Sequence, residues 1–179
     1  MDAIEDPYFW ALVAMLGLVG GNAIQGSPVV GQRTWFGVLV ISMVTLGRVV
    51  LVLPFVQQPR FSVGLSFATG VLLVVVALLL MAPLVRIRPA TRPSAAEPLS
   101  TRGVFGFVRH PGYLANVIWG LGWALLFGSV IGVALTPVWF IAFYLHALIE
   151  EEALLREYGA IYRDYMAQVR ARLIPGVPI

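Results

Sequence analysis

Long apolar runs separated by short polar breaks dominate this chain. A bilayer core of about 30 Å needs roughly 20 apolar residues in helical form. On that measure residues 8–23 make a short first span, closed by Gly20, Gly21 and Asn22. Residues 35–56 make a second, interrupted by Arg48 and Pro54, and residues 61–85 make the cleanest, entered from a turn at Gln57, Gln58, Pro59 and Arg60. Residues 86–109 are polar and rich in Pro and Ser, so they belong outside the lipid. Residues 113–149 are apolar again and too long for one crossing. A turn between Gly128-Ser129 and Thr136-Pro137 would fold them into a helical hairpin. Beyond it, Leu155, Tyr158, Tyr162, Tyr165 and Val169 recur at helical spacing, which predicts a C-terminal helix. The expected fold is an all-α polytopic membrane helix bundle. It has about five transmembrane helices, the last two a hairpin, with residues 1–85 and 86–179 as its two portions.

Composition agrees with this pattern. The chain is 59% hydrophobic and only 12% charged, with a mean hydropathy of +0.87, whereas soluble domains carry about 25% charged residues. The acidic start, with Asp2, Glu5 and Asp6, lacks the basic region that opens a cleaved signal peptide. All twelve basic residues are Arg, which points to a GC-rich bacterial genome and hence an inner membrane. Cytoplasmic loops are enriched in basic residues. Five spans with the N-terminus outside put Arg33, Arg86, Arg88, Arg92, Arg102, Arg109, Arg156, Arg163, Arg170 and Arg172 in the cytoplasm. Only Arg60 then faces outward, and Arg48 lies within a span. The polar 86–109 loop and the C-terminal tail therefore share the cytoplasmic side.

That shared side holds the candidate chemistry. In His110-Pro111-Gly112-Tyr113, the proline suits the first turn of a helix. His110 then stands at the helix entrance, with Tyr113 one turn on along the same face. Helix N-termini favour anions; a plain helix cap with an interfacial Tyr accounts for the tetrapeptide equally well. His146 and Glu150 are four apart and share a face, and Glu150-Glu151-Glu152 follow an apolar helix. Three carboxylates there call for positive charge nearby unless the helix continues. A surface-lying amphipathic helix accounts for the aromatic stripe, but less well for the carboxylates. Arg48 within a span costs about 2.5–3.5 kcal/mol on insertion scales and either snorkels outward or meets a polar group. With no Cys, disulfides, thiolate nucleophiles and Cys-ligated metals are excluded, and two His without a ligand motif predict no metal site. No phosphate loop, nucleophile elbow or HExxH occurs. No basic stripe with interleaved aromatics offers nucleic acid a site.

The stretches L-S-T-R-G-V-F-G-F-V-R-H-P-G-Y (99–113), E-E-A-L-L (151–155), Y-G-A-I-Y-R-D-Y (158–165) and R-L-I-P-G (172–176) resemble the isoprenylcysteine carboxyl methyltransferase family and its phospholipid methyltransferase relatives. The resemblance covers roughly residues 97–177. It implies a small helical membrane enzyme that binds S-adenosylmethionine on the cytoplasmic side and takes a lipophilic acceptor from the bilayer. Carried over by position, Leu99, Ser100 and Phe105 would line the cofactor pocket, with His110, Pro111, Gly112 and Tyr113 closing on it. Glu151, or its neighbour Glu150, would hold the cofactor's amino group. Prenylcysteine methyltransferases usually carry an Arg one turn before the Glu pair; here that turn holds His146 and Ala147. His146, Glu150 and Glu151 are the candidate catalytic residues, with a core His146 as the plain alternative. Sterol and steroid reductases, which use a nicotinamide cofactor, share the R-H-P-x-Y region, and a non-enzymatic membrane partner is the third reading.

Overall fold

The computed structural model describes residues 2–26, 34–62, 64–86 and 101–178. Among them the chain is helical, with no strand. After a 3-10 turn at Ala3–Glu5 come α1 (Pro7–Gly26), α2 (Thr34–Leu51) and α3 (Gly64–Arg86). A second 3-10 turn at Gly103–Gly106 precedes α4 (Pro111–Leu126), α5 (Val130–Ala134), α6 (Thr136–Tyr158) and α7 (Ala160–Gln168).

The length of α3 follows from its unbroken Leu, Val and Ala content. Leu65, Leu72 and Leu79, spaced seven apart on one face, are all well exposed. A bare apolar face of this kind is stable in lipid, not in water. Two described stretches, Gly64–Leu84 and Val130–Tyr158, are long and apolar enough to cross a membrane. The protein is a membrane protein. The other apolar stretches, Pro7–Gly21 and Ser42–Leu51, are shorter, and α4 has only 16 residues.

Glycine sets how the helices meet. A Cβ on Gly70 of α3 would lie 2.8 Å from Gly122 O and 2.8 Å from Leu126 N of α4. A Cβ on Gly122 would lie 3.0 Å from Gly70 O and Val74 N. The two backbones touch because neither helix has a side chain there. In the core, Ala14 and Leu18 of α1 pack on Trp139 and Phe143 of α6, and Leu51 and Val52 pack on Ala124 of α4.

Arg60 ties the helix ends opposite the candidate site. Its guanidinium donates to Val52 O (3.0 Å), Val56 O (3.2 Å) and Leu53 O beyond α2, and to Phe127 O (2.7 Å) at the end of α4. A cation at two helix C-termini satisfies carbonyls that have no helical partner and complements both dipoles. The Gln58 amide donates to Leu51 O and accepts from the buried Ser129 hydroxyl. Gly128 takes φ 62° where α4 stops, and the Ser129 side chain caps α5 by accepting from Gly132 N at 2.9 Å.

The helix does run on past the carboxylates, as expected, so Glu150, Glu151 and Glu152 lie inside α6. It does not run through the whole aromatic stripe: Gly159, at φ 54°, separates α6 from α7. The stripe also faces inward instead of lying on a membrane surface. Tyr162, Tyr165 and Val169 are buried against Phe105, Leu154, Leu155 and Tyr158, because a bent tail can fold back over the end of α6.

Candidate active site

Pro111 begins α4, leaving His110 at the N-cap position. The His110 side chain does not cap the helix; it reaches α6 instead. Its Nδ1 lies 3.3 Å from Glu150 Oε2 and its Nε2 lies 3.2 Å from Glu151 Oε1. A ring whose two nitrogens each face a carboxylate makes both hydrogen bonds only as the imidazolium. Burial alone would push the His110 pKa down, but the hydrogen bonds to Glu150 and Glu151 outweigh it and hold the pKa above its ordinary value.

Glu151 is the centre of the cluster. It is 4% exposed and receives Arg109 Nε at 2.7 Å on Oε1, and Arg172 Nε at 3.0 Å and Nη2 at 2.9 Å on Oε2. Arg109 also donates through Nη1 to Val169 O (2.7 Å) and Arg170 O (3.0 Å). The backbone repeats this link: Arg109 N donates to Ala171 O (2.9 Å) and His110 N to Arg172 O (3.0 Å). Arg172 continues to Tyr144, donating to its hydroxyl at 2.7 Å with the guanidinium over the ring. Burial would lower the Arg172 pKa, but its bonds to Glu151 raise it instead. Although the helix continues, Glu150 and Glu151 have positive charge beside them, from Arg109, His110 and Arg172, while the exposed Glu152 faces Arg156.

Glu150 is held differently. Its Oε2 accepts from the Tyr113 hydroxyl at 2.7 Å and faces His110, and the side chain stays 35% exposed. Around it, Tyr113 stacks between His110 (5.5 Å) and Phe143 (5.7 Å), and His146 meets the Tyr113 ring edge-on at 5.3 Å. His146, Glu150, Glu151, His110 and Tyr113 therefore stand together. Gly112 lies in the first turn of α4, beside Leu84 of α3. Phe105 joins the neighbouring tail cluster, where its carbonyl accepts from the Tyr165 hydroxyl at 2.8 Å. Burial raises the Tyr165 pKa to about 12, so this hydroxyl stays a donor. Leu99 and Ser100 lie outside the described residues. No group of metal-ligating residues occurs among the described residues. The Arg109 and Arg172 side chains and Tyr144 are the site members that motif reading did not assign.

Known proteins are similar to this chain over about half its length. A Delta(14)-sterol reductase of Mus musculus is 33% identical over 93 residues, covering 49% of this chain and 22% of its own. A protein-S-isoprenylcysteine O-methyltransferase of Schizosaccharomyces pombe is 31% identical over 90 residues, covering 50% of this chain and 37% of its own. The chain thus spans well under half the length of these curated relatives. No solved structure matches it. The pattern of one family, described as phospholipid methyltransferase, matches residues 65–161, from the start of α3 through the whole carboxylate cluster. With more than half of its length matched, this chain belongs to the phospholipid methyltransferase family.

Proposed function

We propose that this protein is an S-adenosylmethionine-dependent integral membrane methyltransferase. Its acceptor would be lipophilic, entering from the bilayer, such as the carboxyl group of a prenylcysteine-like or other isoprenoid or lipid substrate. The observation that carries this reading is the anchoring of a half-exposed Glu150 beside the aromatic Tyr113–Phe143 wall at the entrance of α4.

The donor set fits the cofactor's ammonium end. Both contacts to Glu150 go to Oε2, so Oε1 can accept from an ammonium group. The bound cofactor supplies an already activated methyl group, so the protein's work is binding and alignment. Glu151, with Arg109, His110 and Arg172 on its two oxygens, is better suited to fixing the site than to holding a ligand. Glu150 would then be the amino-group partner. His146, one turn before Glu150, would face the acceptor as a base or a positive charge in place of the missing arginine. A nicotinamide-dependent reductase is the second reading, favoured by the match to the mouse sterol reductase.

Calorimetric titration of the detergent-purified protein tests the choice. Saturable S-adenosylmethionine binding without NADPH binding is the expected result, and NADPH binding alone would move the assignment to the reductases. Glu150→Gln should weaken the cofactor about tenfold or more, the value of a hydrogen bond to a charged group. An unchanged affinity in the folded variant would place amino-group recognition elsewhere.

The arginine distribution further supports five spans in an inner membrane, the N-terminus outside and the site and tail in the cytoplasm. The absence of cysteine makes this easy to check. In intact cells a membrane-impermeant maleimide should label Ser62→Cys and spare Ala167→Cys. The reverse pattern would invert the orientation, and equal labelling would refute three spans between these two positions.

A further inference from the structure

Arg48 has no place in the site described above, and its surroundings are unusual. It lies in the last turn of α2 and is only 6% exposed. A guanidinium has five N–H donors and keeps its charge. Among the described residues, its one hydrogen bond runs from Nη2 to Asn116 O of α4, at 2.8 Å. Three aromatic faces surround it: Trp119 at 5.4 Å, Trp139 at 5.1 Å and Phe143 at 5.6 Å. Eight of the nine acidic residues are described, all but Glu97, and none of them pairs with Arg48.

A structural role as a cap on its own helix is taken by other groups. The carbonyls at and beyond the end of α2 are served by Gln58 and Arg60. The sequence also clears space for the cation. A Cβ on Gly120 would sit 1.8 Å from Arg48 Nη2. Beside the guanidinium a cavity of about 20 Å³ is walled by Ala14, Gly47, Val52, Gly132 and Trp139. That is room for about one small atom or water. Ionisable groups inside a membrane bundle commonly mark a ligand or ion site.

We propose that Arg48 and its aromatic cage form an anion subsite within the bundle, taking one oxygen of a singly charged oxyanion such as a carboxylate or phosphate ester. The anion is either borne by a lipid chain or a small soluble ion; the site chemistry is the same. The single cation neutralises a single charge. The subsite shares a wall with the candidate active site: Phe143 faces Arg48 on one side and stacks on Tyr113, the partner of Glu150, on the other. The inference does not depend on which cofactor the active site takes.

Trp119 and Trp139 supply a readout independent of activity. The full chain in detergent is titrated with sodium decanoate or sodium formate, with decanol as the neutral control, while tryptophan fluorescence is followed. A saturable change with an anion and none with decanol is expected. A half-saturation at least about tenfold lower for decanoate assigns the site to a lipid-borne anion, and the converse to a soluble one. Arg48→Met should abolish the response. Gly120→Ala, which keeps the charge but displaces the guanidinium, should weaken it at least about tenfold and stands in if Arg48→Met fails to fold. Absence of any saturable change in the wild-type protein, or an unchanged midpoint in either folded variant, overturns the proposal.

Discussion

Glu151→Ala is expected to destabilise the protein by about 3–5 kcal/mol, the range for removing one member of a buried ion pair. The carboxylate is shared by Arg109, His110 and Arg172, and of these Arg109 and His110 are themselves buried. Without it, Arg109 loses its carboxylate partner while still donating to the carbonyls of Val169 and Arg170, and Arg172 is tied to α6 through Tyr144 but no longer through Glu151. The variant should melt at a clearly lower temperature in detergent. Trypsin should cut it faster after Arg170 and Arg172. Any loss of cofactor binding would follow from that loosening. A variant with wild-type melting and tail protection but no binding would show instead that Glu151 touches the ligand directly. Glu150→Gln is the contrasting case, since its partly exposed side chain anchors no arginine in the described residues.

Gly70→Leu should be comparably damaging, through a different cause. Overpacking commonly costs about 1–3 kcal/mol and sometimes more. Here the atoms met at 2.8 Å are the backbone of Gly122 and Leu126, which cannot rotate away as a side chain can. Relief requires α3 and α4 to separate, and α4 carries His110 and Tyr113 at its other end. The variant is expected to accumulate poorly, and whatever folds should bind cofactor weakly. Gly64→Leu is the control, because nothing lies within 4 Å of a Cβ at that position. Wild-type melting of Gly70→Leu would mean that the α3–α4 seam adjusts without strain.

Much of this arrangement could be read from the chain, because its signals are local. Apolar length marks α3, Pro111 marks the start of α4, and the i, i+4 spacing of His146 and Glu150 puts both on one face. Positive charge beside Glu150-Glu151-Glu152 was legible only as a condition, should the helix stop there. Which groups supply it was not. Arg109 and Arg172 lie 42 and 21 residues from Glu151, and both looked like loop or tail cations that water would solvate. The turn at Gly159 and the end of α7 at Val169 bring the tail back over α6. The same turn hides the aromatic stripe, whose spacing fits a membrane surface and a protein core alike. Arg48 stood out as a charge in an apolar run, but its cage draws on α4 and α6, far away in sequence.

The bonds from Arg109 and His110 to residues 169–172 also set a chronology for the nascent chain. Synthesis delivers His110 first, then Glu150 and Glu151, and Arg172 last. Throughout the interval Glu151 has at most Arg109 and His110 to balance it, and the backbone at those two residues has no tail to lean on. The carboxylate cluster is therefore among the last features of the molecule to close. A chain stopped before Arg172 would carry every described helix yet lack a finished site.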